Sequence, residues 1–204
     1  GDVFVIAQKI VSKAEGAVVK LADVVPTNQA RELSQATGRD SKLCQVYLDE
    51  SSEIIKIKGK RVITRHRLGH ICSSAGVDRG NVPEGVVSLL PRDPDQSARQ
   101  IKQEIERLTQ RRLAVIINDS FGRAGRQGSV GIAVGAAGIC YLKAREEADL
   151  YQRVSTRQIA IVDELAAAAS LLMGQGGQAC PVVLIRGVDY DICQKPGIAD
   201  ILEL

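Results

Sequence analysis

Two aspartates stand where an apolar segment gives way to glycine and arginine: Asp78 in AGVDRGN and Asp119 in VIINDSFGR. Two carboxylates in that setting suit hard divalent cations beside phosphate oxygens, because such ions take oxygen ligands. Aspartate is also an ordinary turn and capping residue, so spacing alone weighs the two readings about equally. Beyond Asp119 and Ser120, Arg123 and Arg126 flank Gly122, Gly125 and Gly128. Guanidinium forks and backbone amides would contact a polyphosphate together there, and a solvated turn would use the same residues. The segment MGQGGQ at 173–178 reads either as a helix end with a glycine loop or as backbone that a nucleotide can approach closely. Lys9 and Lys13 lie four residues apart around the small Ser12, with room for a phosphate between them, although lysines are most often solvated surface charges.

Several function classes drop out. The chain of 204 residues carries 27 Lys and Arg against 24 Asp and Glu, a net charge of +3 with signs interleaved. That leaves no general electrostatic footprint for nucleic acid or an anionic membrane, and aromatic residues make up only 3% of the chain. No apolar run reaches about 18 residues, and GDVFVIAQK lacks the order of a signal peptide, which points to a cytoplasmic chain. The five cysteines are odd in number, widely spaced and never in a CxxC pair, so reduced, mostly buried thiols are expected rather than disulfides or a zinc site. The GxxxxGK[ST] phosphate loop and GxGxxG are both absent. His66 and His70 fall four apart without an HExxH pattern, and structural roles are favoured for them over metal ligation.

The elements that must position these residues alternate irregularly. Val3 to Ala7 reads as a buried strand, Asn28 to Ala36 as a helix ending at Gly38, and Lys42 to Glu50 as a second helical segment. Glu53 to Ile57 and Lys60 to Thr64 form a hairpin about Lys58-Gly59, and Val86 to Leu90 a further strand. Asp93-Pro94-Asp95 starts a helix whose apolar residues Ala98, Ile101, Ile105 and Leu108 run at helical spacing toward Gln110. That helix leads into the strand carrying Asp119, after which the glycine-rich stretch reads as a loop. An alanine-rich helix from Glu164 to Met173 precedes a strand from Val182 to Arg186. The mixture favours an α+β fold over a doubly wound sheet, in one compact domain or two tightly joined lobes.

Taken in order, QKIVSKAEG, ESSEIIKI, ITRHRLGHICSSAGVDRGNV, LLPRDPDQSARQI, VIINDSFGRAGRQGSVGIAVGAAG, DELAAAASLLMGQGGQ and PVVLIRG resemble the coenzyme F420:L-glutamate ligase (gamma-glutamyl ligase) family across nearly the whole chain. The resemblance implies a GTP-dependent ligase that joins the amino group of L-glutamate to the carboxylate of a deazaflavin phospholactate precursor through an acyl phosphate. It implies magnesium or manganese at two divalent sites, with potassium as a further ion, and a homodimer of intertwined α+β lobes. By the same resemblance Asp78 and Asp119 match the first metal ligands, and Ser120 and Gln175 the second. Ser120 stands where a threonine is common, keeping the hydroxyl. Gln8, Lys9, Lys13 and Asn81 match nucleotide contacts, as does the loop Met173, Gly174, Gln175, Gly176, Gly177, Gln178, Ala179 and Cys180. Arg123 and Arg126 are added as contacts for phosphate or acceptor. The resemblance also implies a nucleotide-contacting segment ahead of QKIVSKAEG, which this chain would lack, and no nitroreductase-like domain after it. FGRAGRQGS lacks the aromatic often found after the first arginine. A ligase for a different carboxylate, or a noncatalytic nucleotide-binding homologue, is therefore the alternative.

Overall fold

The computed structural model describes residues 1–194 and 197–202. In chain order the elements are β1 (Asp2–Ala7), α1 (Gln8–Ala14), β2 (Val18–Lys20), α2 (Asn28–Thr37), α3 (Ser41–Asp49), β3 (Ser51–Lys58), β4 (Arg61–His66), β5 (Ile71–Ser73) and β6 (Val86–Ser88). They continue as α4 (Pro94–Thr109), β7 (Leu113–Gly122), β8 (Ser129–Ala137), β9 (Lys143–Ala148), β10 (Val154–Ile159), α5 (Ile161–Met173) and β11 (Val182–Arg186). The fold is α+β, with mixed sheets, and the chain divides into two compact units.

The first unit comprises residues 1–8, 93–120 and the described residues from 130 on. Its sheet runs β11-β1-β7-β8. The β-branched residues of β1 suit a strand with neighbours on both sides, and it pairs antiparallel with β11 and parallel with β7, Ala7 opposite Asn118. Val3, Val5, Ala114 and Ile116 from the sheet are buried with Val162, Ala166 and Ala169 of α5. Asp95, in the first turn of α4, is a buried hub: it accepts from the backbone N–H of Ala136 (2.9 Å) and Ile198 (2.8 Å) and from the Tyr141 hydroxyl (2.5 Å). Burial, and then the Asp95 carboxylate beside it, push the Tyr141 hydroxyl far above its ordinary range, so that it remains a donor.

The glycine-rich stretch expected as a loop is mostly strand β8, and only 123–128 is left to connect it to β7. Its glycines admit close packing. A Cβ at Gly135 would lie 2.4 Å from the Pro94 carbonyl carbon and 2.6 Å from its oxygen. Because those are backbone atoms that cannot swing aside, Gly135→Ala should destabilise the protein by about 3 kcal/mol or more, read as a lowered denaturant midpoint. An unchanged midpoint would show that α4 shifts freely.

The second unit comprises residues 9–92 and 121–129. It holds the sheet β3-β4-β5 and the pair β2-β6. Helix α2 begins where Thr27 accepts from Ala30 N–H (3.3 Å) and ends at Gly38 with φ 65°, a left-handed position that suits glycine. Asp40 caps α3 through Lys42 N–H (2.8 Å) and Leu43 N–H (3.1 Å). Leu33, Leu43, Val46 and Tyr47 bury against Val62 and Val87. The β3–β4 turn falls at Gly59-Lys60, one residue later than expected, with Gly59 at φ 55° in the first turn position.

Two expectations need correction. Cys140 and Cys193 form a disulfide, while Cys44 and Cys72 are buried free thiols and Cys180 is a half-buried one. Cysteine spacing does not carry this pairing, because it depends on the chain returning to one place after 53 residues. The antiparallel ribbon β9–β10 was also not foreseen: its residues are nearly all exposed and lack the apolar alternation that marks a strand.

Candidate functional site

In the first unit, β7 is buried from Leu113 to Asn118 and then becomes half-exposed at Asp119 and Ser120. The strand therefore delivers a carboxylate and a hydroxyl at its carboxyl end. Asp119 Oδ1 accepts from the Ser120 backbone N–H (2.8 Å), which turns the carboxylate along the chain. The Ala-rich α5 ends at Gly174, whose φ of 68° releases the loop. Gln175 then reaches across and donates through Nε2 to Ser120 Oγ (2.7 Å), at a sequence separation of 55. Within the same loop Gln178 Oε1 accepts from Gly176 N–H (2.8 Å), so the loop has internal bonding of its own. Gln8, the first residue of α1, is buried, and Met173 is buried as well.

In the second unit the Asp78 segment is fixed by a bridge to β6: Asp78 and the fully buried Ser88 exchange both backbone hydrogen bonds at 2.9 Å. Asp78 Oδ1 accepts from Gly80 N–H (2.7 Å), and Oδ2 lies 2.5 Å from Lys9 Nζ. One turn further along α1, Lys13 donates to the Asn81 carbonyl. Asn81 itself has φ 55°, which asparagine tolerates better than most residues. Three residues singled out by spacing, Lys9, Lys13 and Asp78, thus gather at one loop with Asn81, which the resemblance added. A Cβ at Gly80 would sit 3.3 Å from both Asp78 Oδ1 and Lys9 Nζ, so glycine fits that close approach. Arg123 and Arg126 lie in the exposed segment 123–128, with Arg123 donating to the Gln127 carbonyl (3.2 Å).

The histidines are structural in their placement. His66 is fully buried, its Nδ1 accepting from Leu68 N–H (3.0 Å) and its Nε2 3.3 Å from Glu50 Oε2. Burial opposes the charge of Glu50, yet His66 and Arg67 beside it hold the carboxyl below its usual range. His70 packs edge-on against Phe121, ring centroids 5.6 Å apart.

The donors fit a hard cation by type. Asp119, Ser120 and Gln175 in the first unit, and Asp78 in the second, offer carboxylate, hydroxyl and amide oxygens and no sulfur or imidazole. Among the described residues no group of three or more His, Cys, Asp and Glu is placed to hold a metal. The protein ligands would then be few, which suits ions that retain water and share substrate oxygens. Nor is any helix among the described residues long and apolar enough to cross a membrane. Ser88 and Asn118, which hold the two aspartate-bearing segments, are not singled out by spacing; the signal for Asn118 was an amide at the last buried position of an otherwise apolar strand.

Residues 1–187 match the family described as F420-0:gamma-glutamyl ligase. The chain is 45% identical over 199 residues to a protein of Methanothermobacter thermautotrophicus named coenzyme F420:L-glutamate ligase, covering 97% of this chain and 79% of that one. A protein of the same name from Methanocaldococcus jannaschii is 45% identical over 191 residues, with 93% and 76% covered. The one from Archaeoglobus fulgidus is 38% identical over 193 residues, again with 93% and 76% covered. The match over residues 1–187 and the identity to these relatives show that the chain belongs to the F420-0:gamma-glutamyl ligase family.

Proposed function

We propose that this protein is a GTP-dependent ligase that adds L-glutamate to the deazaflavin precursor of coenzyme F420 through gamma-glutamyl amide bonds. The observation that carries the reading is the 45% identity, over nearly the whole chain, to proteins named for that activity.

In the reaction a carboxylate oxygen of the acceptor attacks the γ-phosphorus of GTP, and the bond to the β-phosphate oxygen breaks to release GDP. The glutamate amine then attacks the acyl carbon, phosphate leaves, and the amine proton goes to solvent or a nearby base. Both steps move charge between oxygens, so positioning and electrostatic stabilisation do most of the catalysis. Asp119, Ser120 and Gln175 in the first unit and Asp78 in the second are the residues that would hold magnesium or manganese, with potassium as a further ion; such ions would polarise phosphoryl oxygens and neutralise their charge. Lys9, held beside Asp78 at 2.5 Å, and Lys13 would supply point charges for phosphate. Gln8 and the loop 173–180 in the first unit, and Asn81 in the second, are the nucleotide contacts this reading assigns, and the loop's glycines would let backbone N–H groups come close. Arg123 and Arg126, on an exposed segment, contact phosphate or the acceptor carboxylate bidentately. The protein acts as a homodimer.

The test is to incubate the protein with GTP, manganese, L-glutamate and the precursor, and to follow glutamate addition and GDP by mass spectrometry. GDP appearing only with some other carboxylic acid would reassign the acceptor. The FGRAGRQGS segment, which has no aromatic after its first arginine, favours that second reading, a ligase of the same chemistry on a different acid.

A further inference from the structure

Asn118 is 6% exposed and sits at the last buried position of β7, immediately before Asp119. Its Nδ2 donates to Ser170 Oγ (3.3 Å) and lies 3.4 Å from Met173 Sδ, both on α5. The amide orientation is fixed by chemistry: Ser170 Oγ gives its own proton to the Ala166 carbonyl (2.9 Å), so it must accept from Asn118. The other end of the amide has no such support. Oδ1 is buried without a hydrogen-bond donor.

The third face of this junction is β8. A Cβ on Gly131 would lie 1.9 Å from Ser170 Oγ, 2.5 Å from the Ala166 carbonyl oxygen and 2.7 Å from Asn118 Oδ1. Two strands and a helix therefore meet with no spare volume, and the Asn118 amide is a polar tie from β7 to α5 at this point. Two residues on from Asn118 along β7 is Ser120, and two residues on from Met173 is Gln175. Those are the two side chains that meet at 2.7 Å.

A buried carbonyl oxygen left without a donor costs stability, and an apolar side chain at this position would avoid that cost. Stability does not explain the amide; the placement of the helix end does. We infer that Asn118 is a positioning residue: by tying the carboxyl end of β7 to the last turn of α5, it sets the approach of Gln175 to Ser120 and Asp119 and so the affinity of that oxygen cluster for a divalent cation. This rests on the reading of Asp119, Ser120 and Gln175 as metal ligands.

The probe is manganese itself, titrated into the intact protein and read by the paramagnetic resonance signal of the free ion, alongside calorimetric unfolding of metal-free samples. Asn118→Ala is expected to weaken manganese binding about 10- to 100-fold, the range for residues that orient metal ligands, beyond what any fall in unfolding temperature accounts for. Ser170→Ala removes the acceptor at the other end of the tie, suits a helix, and should shift binding the same way. In the ligase assay both variants should require more manganese for half-maximal turnover and regain turnover when it is saturating. Manganese affinity unchanged in Ser170→Ala, or lost only in step with unfolding temperature, overturns the inference. So does a parent protein that binds no manganese. A parent that binds manganese but ligates no glutamate sinks the proposed reaction alone, and the binding titration still decides the role of Asn118.

Discussion

Asp119→Asn is expected to abolish glutamate addition, lowering turnover by on the order of 10³-fold or more, the scale of losing a preorganised electrostatic contact in a charge-moving step. The substitution is close to isosteric. An asparagine carbonyl in the place of Oδ1 still accepts from Ser120 N–H, the 2.8 Å contact that orients the side chain. Asp119 is only half-buried, so losing its charge should change stability by no more than about 0.5 kcal/mol. What disappears is the anionic oxygen at the end of β7, and neither Ser120 nor Gln175 carries charge to replace it. Turnover by mass spectrometry and unfolding by calorimetry, run on one preparation, separate the effects. Activity retained with an intact fold would remove Asp119 from the site.

A milder variant sharpens the contrast. Ser120→Ala removes one neutral oxygen and the acceptor that holds Gln175 at 2.7 Å, so the loss should fall within about 10- to 100-fold and appear mainly as weaker metal affinity. Were the two variants equally damaged, charge at Asp119 would not be the deciding quantity.

What could be read from residues alone follows from how local its cause is. Asp119 and Asp78 were legible because an abrupt change from apolar to glycine and arginine marks a chain leaving the core, and both stand at such an exit. The lysine pair was legible because i and i+4 share a helix face; the structure adds what the pair faces, the loop from Asp78 to Asn81. Strand β8 was misread because Gly131, Gly135 and Gly138 suggest freedom, whereas the first two are glycine to admit Ser170 and the Pro94 backbone. The tie between Asn118 and Ser170 spans 52 residues, and no local pattern announces it. Composition also misses the β9–β10 ribbon, whose backbone pairing does not depend on a buried face.

The Cys140–Cys193 disulfide carries the other large effect. Several polar contacts hold the segment after β11 to the first unit: Lys143 donates to the Asp189 carbonyl (2.7 Å) and carboxylate (2.6 Å), Cys140 N–H to the Asp191 carbonyl (2.8 Å), and Ile198 N–H to Asp95. The Lys143 ammonium holds the Asp189 carboxyl below its usual range, but Asp189 is largely exposed and such a pair contributes little. Along that segment Ile198 is buried in the core, while Val188, Tyr190, Ile201 and Leu202 are only partly buried against it, so apolar contact alone is limited. The covalent link removes chain freedom from the unfolded state. For a loop closed across 53 residues the entropy relation gives about 4 kcal/mol, which corresponds to roughly 10 °C in unfolding temperature for a chain of this size. Cys193→Ser, or reduction of the parent protein by a phosphine, should therefore lower the midpoint by a similar amount, and reductant should have no further effect on the variant. Since Asp119, Ser120 and Gln175 are positioned by β7 and α5, manganese affinity well below the reduced midpoint should match that of the oxidised protein. Loss of metal binding on reduction, with the fold still intact, would show that the segment beyond β11 helps to shape the site, and the disulfide would then carry function as well as stability.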